Sequence, residues 1–197
     1  MTDNFISVSG KYCPDVIKLL APKGYNVFWV QVMRDSGKED TVCILIKDSY
    51  NLSKTDQYCT VKGALTTMKV GAKTFVCIIA ETIKFHNEPI YSNKVFLKGV
   101  IGKFPNMRVT KDRYILDLCL RLNSKNFENH EIYVPCIAFN KCAMVAQNLT
   151  VGSHIAVKGR LQSRSFLHTR TNTIRSIEEV AIFKMTILGY KSKEKEE

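Results

Sequence analysis

Val157-Lys158-Gly159-Arg160-Leu161-Gln162-Ser163-Arg164-Ser165-Phe166 reads as one extended strand with two unlike faces. Side chains alternate along a strand, so Val157, Gly159 and Leu161 point one way, small and apolar. Lys158, Arg160, Gln162, Arg164 and Phe166 point the other way. Three cations, an amide and a ring in one row can neutralise phosphates and offer a stacking surface, the two needs of an unpaired nucleic-acid strand. The alternative reading of the same row is an edge strand kept soluble by charge. The rest of the sequence decides between them.

The stretch has an echo 96 residues earlier: Val61-Lys62-Gly63-Ala64-Leu65 differs from Val157–Leu161 at one position. Runs rich in Val, Ile, Cys, Thr and aromatics predict strands over Val27–Met33, Thr41–Lys47, Tyr58–Met68 and Thr74–Phe85. They predict further strands over Val95–Gly102, Tyr114–Leu122, Ile132–Phe139, His154–Phe166 and Glu178–Leu188. The order around the two echoes matches. Phe5–Lys11 corresponds to Val95–Gly102, Val27–Arg34 to Tyr114–Arg121, Thr41–Lys47 to Ile132–Phe139 and Thr74–Phe85 to Glu178–Leu188. This is the signature of two copies of one five-stranded unit. Lys141–Leu149 has a helical pattern, with Asn140 as its N-cap. Asp15–Leu20 and Ser49–Lys54 read as single turns. His86–Ser92, holding Asn87 and Pro89, reads as the linker between the copies.

Five short strands with a helix between the third and fourth imply an OB-fold, a partly open Greek-key barrel. The expected fold is therefore mainly β: two tandem five-stranded OB-fold barrels, each with a short helix between strands 3 and 4. The copies span 1–88 and 92–190, followed by a charged tail, 191–197. A single barrel of all 197 residues is the competing topology.

Composition is consistent with a packed, basic protein. Hydrophobic residues make up 45% of the chain, enough for a core, and the formal net charge of +11 calls for a polyanionic partner. No apolar run reaches the roughly 18 residues of a membrane span. Met1-Thr2-Asp3-Asn4 lacks the basic start of a signal peptide. A soluble, cytoplasmic chain with no membrane partner is expected. The seven cysteines form no CxxC pair and mostly lie in apolar runs, as buried reduced thiols do. Nothing points to catalysis. GxxxxGK[ST], GxSxG and HExxH are absent, and His86, His130, His154 and His168 lack ligand spacing. Asp112 and Asp117 read as a turn acid and a strand acid. No catalytic residue, metal or cofactor is expected.

Charge is uneven along the chain. Residues 1–90 hold 11 Lys and Arg against 9 Asp and Glu, whereas residues 91–197 hold 18 against 9. In the first copy Lys62, Ala64, Thr66 and Met68 stand where the second has Lys158, Arg160, Gln162 and Arg164. The second copy is expected to bind, and the first to pack or dimerise. Phe28 and Trp29 in the first copy read as core or interface, with a second stacking site as the alternative. Lys103, Arg108, Lys111, Arg113 and Arg121 near the first two strands of the second copy are further candidate contacts, with Arg170 and Arg175 between its last two strands. Phe127 could supply another ring from the Asn123–His130 loop.

Three segments of the second copy resemble the bacterial single-stranded DNA-binding protein family. They are Asn93-Lys94-Val95-Phe96-Leu97-Lys98-Gly99, Tyr133–Lys141 and Gly152–Phe166. The family's patterns there are N-[KR]-V-x-L-x-G, a strand ending in A-F-[GN]-K, and G-R-L-Q-[ST]-R-x-[WF]. The resemblance covers about 91–190 and only faintly 1–90, as a tandem two-barrel member would. It implies that Tyr133, Phe139 and Phe166 stack on bases, in places where the family often has Trp. Any π-face serves. The family's tail ends in an acidic-apolar tip that recruits replication and repair enzymes. Lys191–Glu197 has the acids without an apolar anchor, so recruitment through such a tip is not expected.

The resemblance implies a sequence-tolerant protein that coats and protects single-stranded DNA during replication, recombination or mobile-element transfer. Its implied partners are single-stranded DNA, a second copy giving a homodimer with four OB folds, and replication or recombination proteins. Two other readings stay open: an OB-fold adaptor whose basic face docks an acidic protein, and an RNA binder using the same face.

Overall fold

The computed structural model describes residues 3–14, 21–50, 52, 57–71, 73–123, 131–146, 148–168 and 172–190, with the side chains at 166–168 and 173–175 outside that description. Among the described residues ten strands and one helix follow in order. They are β1 (Asn4–Cys13), β2 (Tyr25–Met33), β3 (Glu39–Lys47), β4 (Tyr58–Val70), β5 (Lys73–His86), β6 (Ser92–Val109), β7 (Tyr114–Asn123), β8 (Glu131–Phe139), α1 (Asn140–Ala146), β9 (His154–His168) and β10 (Thr173–Gly189). The fold is mainly β, as the residue pattern predicts.

The pairing repeats. Among the first five strands the order is β2-β3-β5-β4-β1, and β1 also pairs with β2. Among the last five it is β6-β7-β8-β10-β9, and β6 also pairs with β9. Each set thus returns to its starting strand, with one parallel pair in each: β3 with β5, and β8 with β10.

The glycine shared by the two echoes has a steric reason in both. A Cβ on Gly63 would lie 1.9 Å from the Ile79 carbonyl oxygen, and one on Gly159 would lie 2.2 Å from that of Ala181. Only glycine allows the neighbouring strand so close.

The chain forms two compact units. The amino-terminal unit comprises Phe5–Val95 and Leu161–Glu179, and the carboxy-terminal unit Met1–Asn4, Phe96–Arg160 and Val180–Glu197. The outer parts of β9 and β10 thus group with the amino-terminal strands. Two anchors explain this. Asp40, 1% exposed, is held by the Arg34 guanidinium and accepts the Ser163 backbone N–H at 2.9 Å. Lys73 donates to Ser176 at 2.8 Å and pairs with Glu178 at 3.5 Å.

In the amino-terminal unit both faces of the central strands are covered. Val42, Cys43, Ile44, Leu45 and Ile46 are consecutive and all buried, which is why β3 reads as an unbroken apolar run. Phe28 and Trp29 are buried too, and Trp29 packs edge-on against Phe75 at 6.4 Å. They are core, which closes the alternative of a second stacking site. In the carboxy-terminal unit the pattern alternates. Leu116, Leu118, Leu120 and Leu122 face Ala138, Cys136, Val134 and Ile132 across β7 and β8, all buried.

Several bounds differ from expectation. β6 runs on past Gly102 because bulges between Ile101 and Lys103 and between Lys103 and Asn106 absorb the misfit around Pro105. β10 begins five residues before Glu178. Asn140 starts α1 at φ 46°, and its Oδ1 accepts the Tyr114 N–H at 3.3 Å, tying helix to strand instead of capping it. The turn expected over Asp15–Leu20 lies outside the described residues, as does half of Ser49–Lys54, and the short helix expected in the first copy falls on the latter stretch.

Candidate nucleic-acid interface

The leucine face of β7 sends its other side chains to the opposite surface. Register places Arg121 opposite Tyr133, Cys119 opposite Pro135, Asp117 opposite Ile137 and Ile115 opposite Phe139. On β10, Val180 and Ile182 pair with the core residues Cys136 and Ala138, so Ala181 and Phe183 share the Tyr133 surface. Gly159 faces Val180, 3.2 Å from its Cγ1 for an ideal Cβ, so Lys158 and Arg160 take the opposite face of β9, the face that Phe183 shares. The Arg160 guanidinium lies 5.4 Å from the Phe183 ring centroid. One surface of the carboxy-terminal unit therefore carries Lys158, Arg160, Phe183, Phe139, Tyr133 and Arg121.

Tyr133 is 42% exposed, and its ring rests on Gly102, where a Cβ would come within 2.9 Å of Cε1. Its hydroxyl donates to Glu131 at 3.4 Å, and Glu131 pairs with Arg121 at 3.2 Å. Arg108 donates to Asp117 through Nε at 2.8 Å. Both ion pairs are solvent-exposed. Such pairs are worth about 0–1 kcal/mol, so a phosphate can displace the carboxylate cheaply. Lys103, Lys111, Arg113 and Lys158 are exposed, while Arg160 and Phe139 are half-buried.

The second half of the opening row behaves differently. Within the amino-terminal unit Glu179 is buried, and it accepts from Gln162 Nε2 at 2.9 Å and from Arg164 Nε and Nη2, both at 3.0 Å. Gln162 is therefore not on an open face, and Arg164 is forked onto a carboxylate. A buried carboxylate requires donors, and strand parity alone does not reveal where one sits. Phe166 lies on β9 and Arg175 on β10, with their side chains outside the described residues. Arg170 and Phe127 lie outside them entirely.

Among the exposed rings that sequence reasoning missed are Phe104, 79% exposed, and Phe183, 59% exposed. Parity in β10 contained the signal for Phe183, since it alternates with Val180 and Ile182. Phe104 follows a bulge, where parity fails. No cluster among the described residues could hold a metal ion, and no described helix is long and apolar enough to cross a membrane.

Residues 92–188 match the Single-strand binding protein family. No curated protein matches the chain. Among solved structures, the chain is similar to the wild-type single-stranded DNA binding protein of Thermus aquaticus, at 17% identity and TM-score 0.71, over 95% of this chain and 94% of that one. It is likewise similar to a deletion mutant of that protein, at 19% identity and TM-score 0.66, over 98% of both chains. At such identities the structural likeness is one of fold.

Proposed function

We infer that this chain, a member of the single-strand binding protein family through residues 92–188, binds single-stranded DNA. The observation that carries the mechanism is the open surface on which exposed Tyr133 and half-buried Phe139 alternate with Lys158, Arg160 and Arg121. Cations take phosphates and rings take bases. Every base has a π-face, so binding is tolerant of sequence.

Lys158, Arg160, Lys103, Arg108, Arg113 and Arg121 are assigned to phosphates, and Tyr133, Phe139 and Phe166 to bases. Arg170, Arg175 and Phe127 are kept as contacts on sequence grounds. Gln162 and Arg164 are assigned to positioning the β9 ribbon through Glu179. The cyclic strand orders support two OB barrels, copies spanning 1–88 and 92–190, the first of which packs while the second binds. Two chains would pair to supply four barrels. The protein coats DNA during replication, recombination or mobile-element transfer in the cytoplasm, and performs no catalysis.

Filter binding with poly-dT, poly-U and duplex DNA at two salt concentrations tests this. Poly-dT is expected to bind far more tightly than duplex and to weaken steeply with salt. Equal affinity for duplex, or none for poly-dT, overturns the reading. Preference for poly-U would replace DNA by RNA.

A further inference from the structure

We propose that Phe183 on β10 is a further base-stacking residue, with the Arg160 guanidinium held beside it to take the adjoining phosphate. The inference rests on the single-strand reading and extends it to the part of β10 that lies in the carboxy-terminal unit.

Three observations carry it. Phe183 is 59% exposed although it sits mid-strand, between Ile182, which is buried, and Lys184. A ring this open leaves apolar surface in water that a stacked base would cover. Its surface is that of the other rings: Ile182 pairs with Ala138, so the next step along the parallel strands sets Phe183 beside Phe139. Neighbouring strands lie about 4.8 Å apart, so the two residues are next to each other on one face of the sheet. Finally, the cation is at hand. Arg160 stands 5.4 Å from the ring centroid. A flat ring with a guanidinium over one face, its other face left to a base, matches a nucleotide, planar at one end and anionic at the other. An apolar protein surface would gain nothing from the charge.

The test titrates oligo-dT against the full-length wild type, Phe183→Ala, Phe183→Trp and Tyr133→Ala, with melting temperature and solution mass measured alongside. Phe183→Ala is expected to weaken binding about 5- to 150-fold, the value of one stacked base, with mass unchanged. Phe183→Trp is expected to bind as wild type and to lose emission on adding DNA. Trp29, the only native tryptophan, is 2% exposed and supplies a constant background. If the wild type binds and Tyr133→Ala weakens binding, yet Phe183→Ala binds normally and the Phe183→Trp emission is unmoved, the assignment of Phe183 fails alone. A change of mass without loss of affinity also overturns it, making the ring a chain-to-chain contact. A wild type that ignores oligo-dT overturns this inference and the single-strand reading together.

Discussion

Glu179 takes three donors that strand parity would send to solvent: the Gln162 amide and two nitrogens of Arg164. Cations in one row therefore have different tasks. Lys158→Ala should weaken oligo-dT binding and lower the salt slope by about 0.7, one phosphate's worth on a single strand, while leaving the melting temperature in place. Arg164→Ala should do the reverse, lowering the melting temperature because Glu179 loses its fork, with a smaller effect on affinity. Parallel melting curves and salt titrations separate the two. Asp40 makes the same point in the amino-terminal unit, where its buried carboxylate depends on Arg34 and the Ser163 N–H. Arg34→Ala strands that charge and should cost about 3–5 kcal/mol in a urea unfolding curve. A loss below 1 kcal/mol would mean that water reaches Asp40.

Strands were legible where one face is core and the other is not. β7 alternates throughout and β8 does so up to Cys136, so Tyr133 and Phe139 could be placed on one face from sequence, although Ile137 between them is buried. β6 was not legible past Gly102, because two bulges reset its parity there, and Gly102 and Pro105 read as the end of a strand as readily as a bulge within one. The shared glycine was visible as a repeat, but its reason is the carbonyl of another strand. Gly63→Ala and Gly159→Ala should each destabilise by about 1–3 kcal/mol, the range for forced overpacking. Gly189, also in a strand, would meet nothing within 4 Å of an added Cβ and should tolerate alanine. Thermal melting of the three variants checks this, and equal stability across them would remove the steric explanation.

The whole molecule carries a cost at alkaline pH. Burial pushes the Cys59 thiol from its ordinary 9.0 up to about 12, and burial also raises Cys119 and Cys13. Cys77 is raised as well, first by its contact with the Cys43 thiol and then by burial. A raised folded value means that the unfolded chain releases its proton first. The stabilisation is complete below about pH 9 and fades as pH climbs towards the folded values. Melting temperature should fall from about pH 9 upwards, and Cys59→Ala, lacking one such group, should fall less steeply. A curve flat to pH 11 would contradict the burial of these thiols.

The sequence by itself determined the strand set, its duplication and the family of residues 92–188, because period-two alternation and short motifs are local properties. It also determined the basic character of the second copy. Tertiary structure decided which members of the basic row stay open, where the outer parts of β9 and β10 belong, and that Phe28 and Trp29 are closed off. The first two outcomes turn on Asp40, Glu178 and Glu179, carboxylates far along the chain from some of the groups they hold. Burying an acid is tolerable only when donors come to it, and which donors come depends on the strands that folding brings alongside.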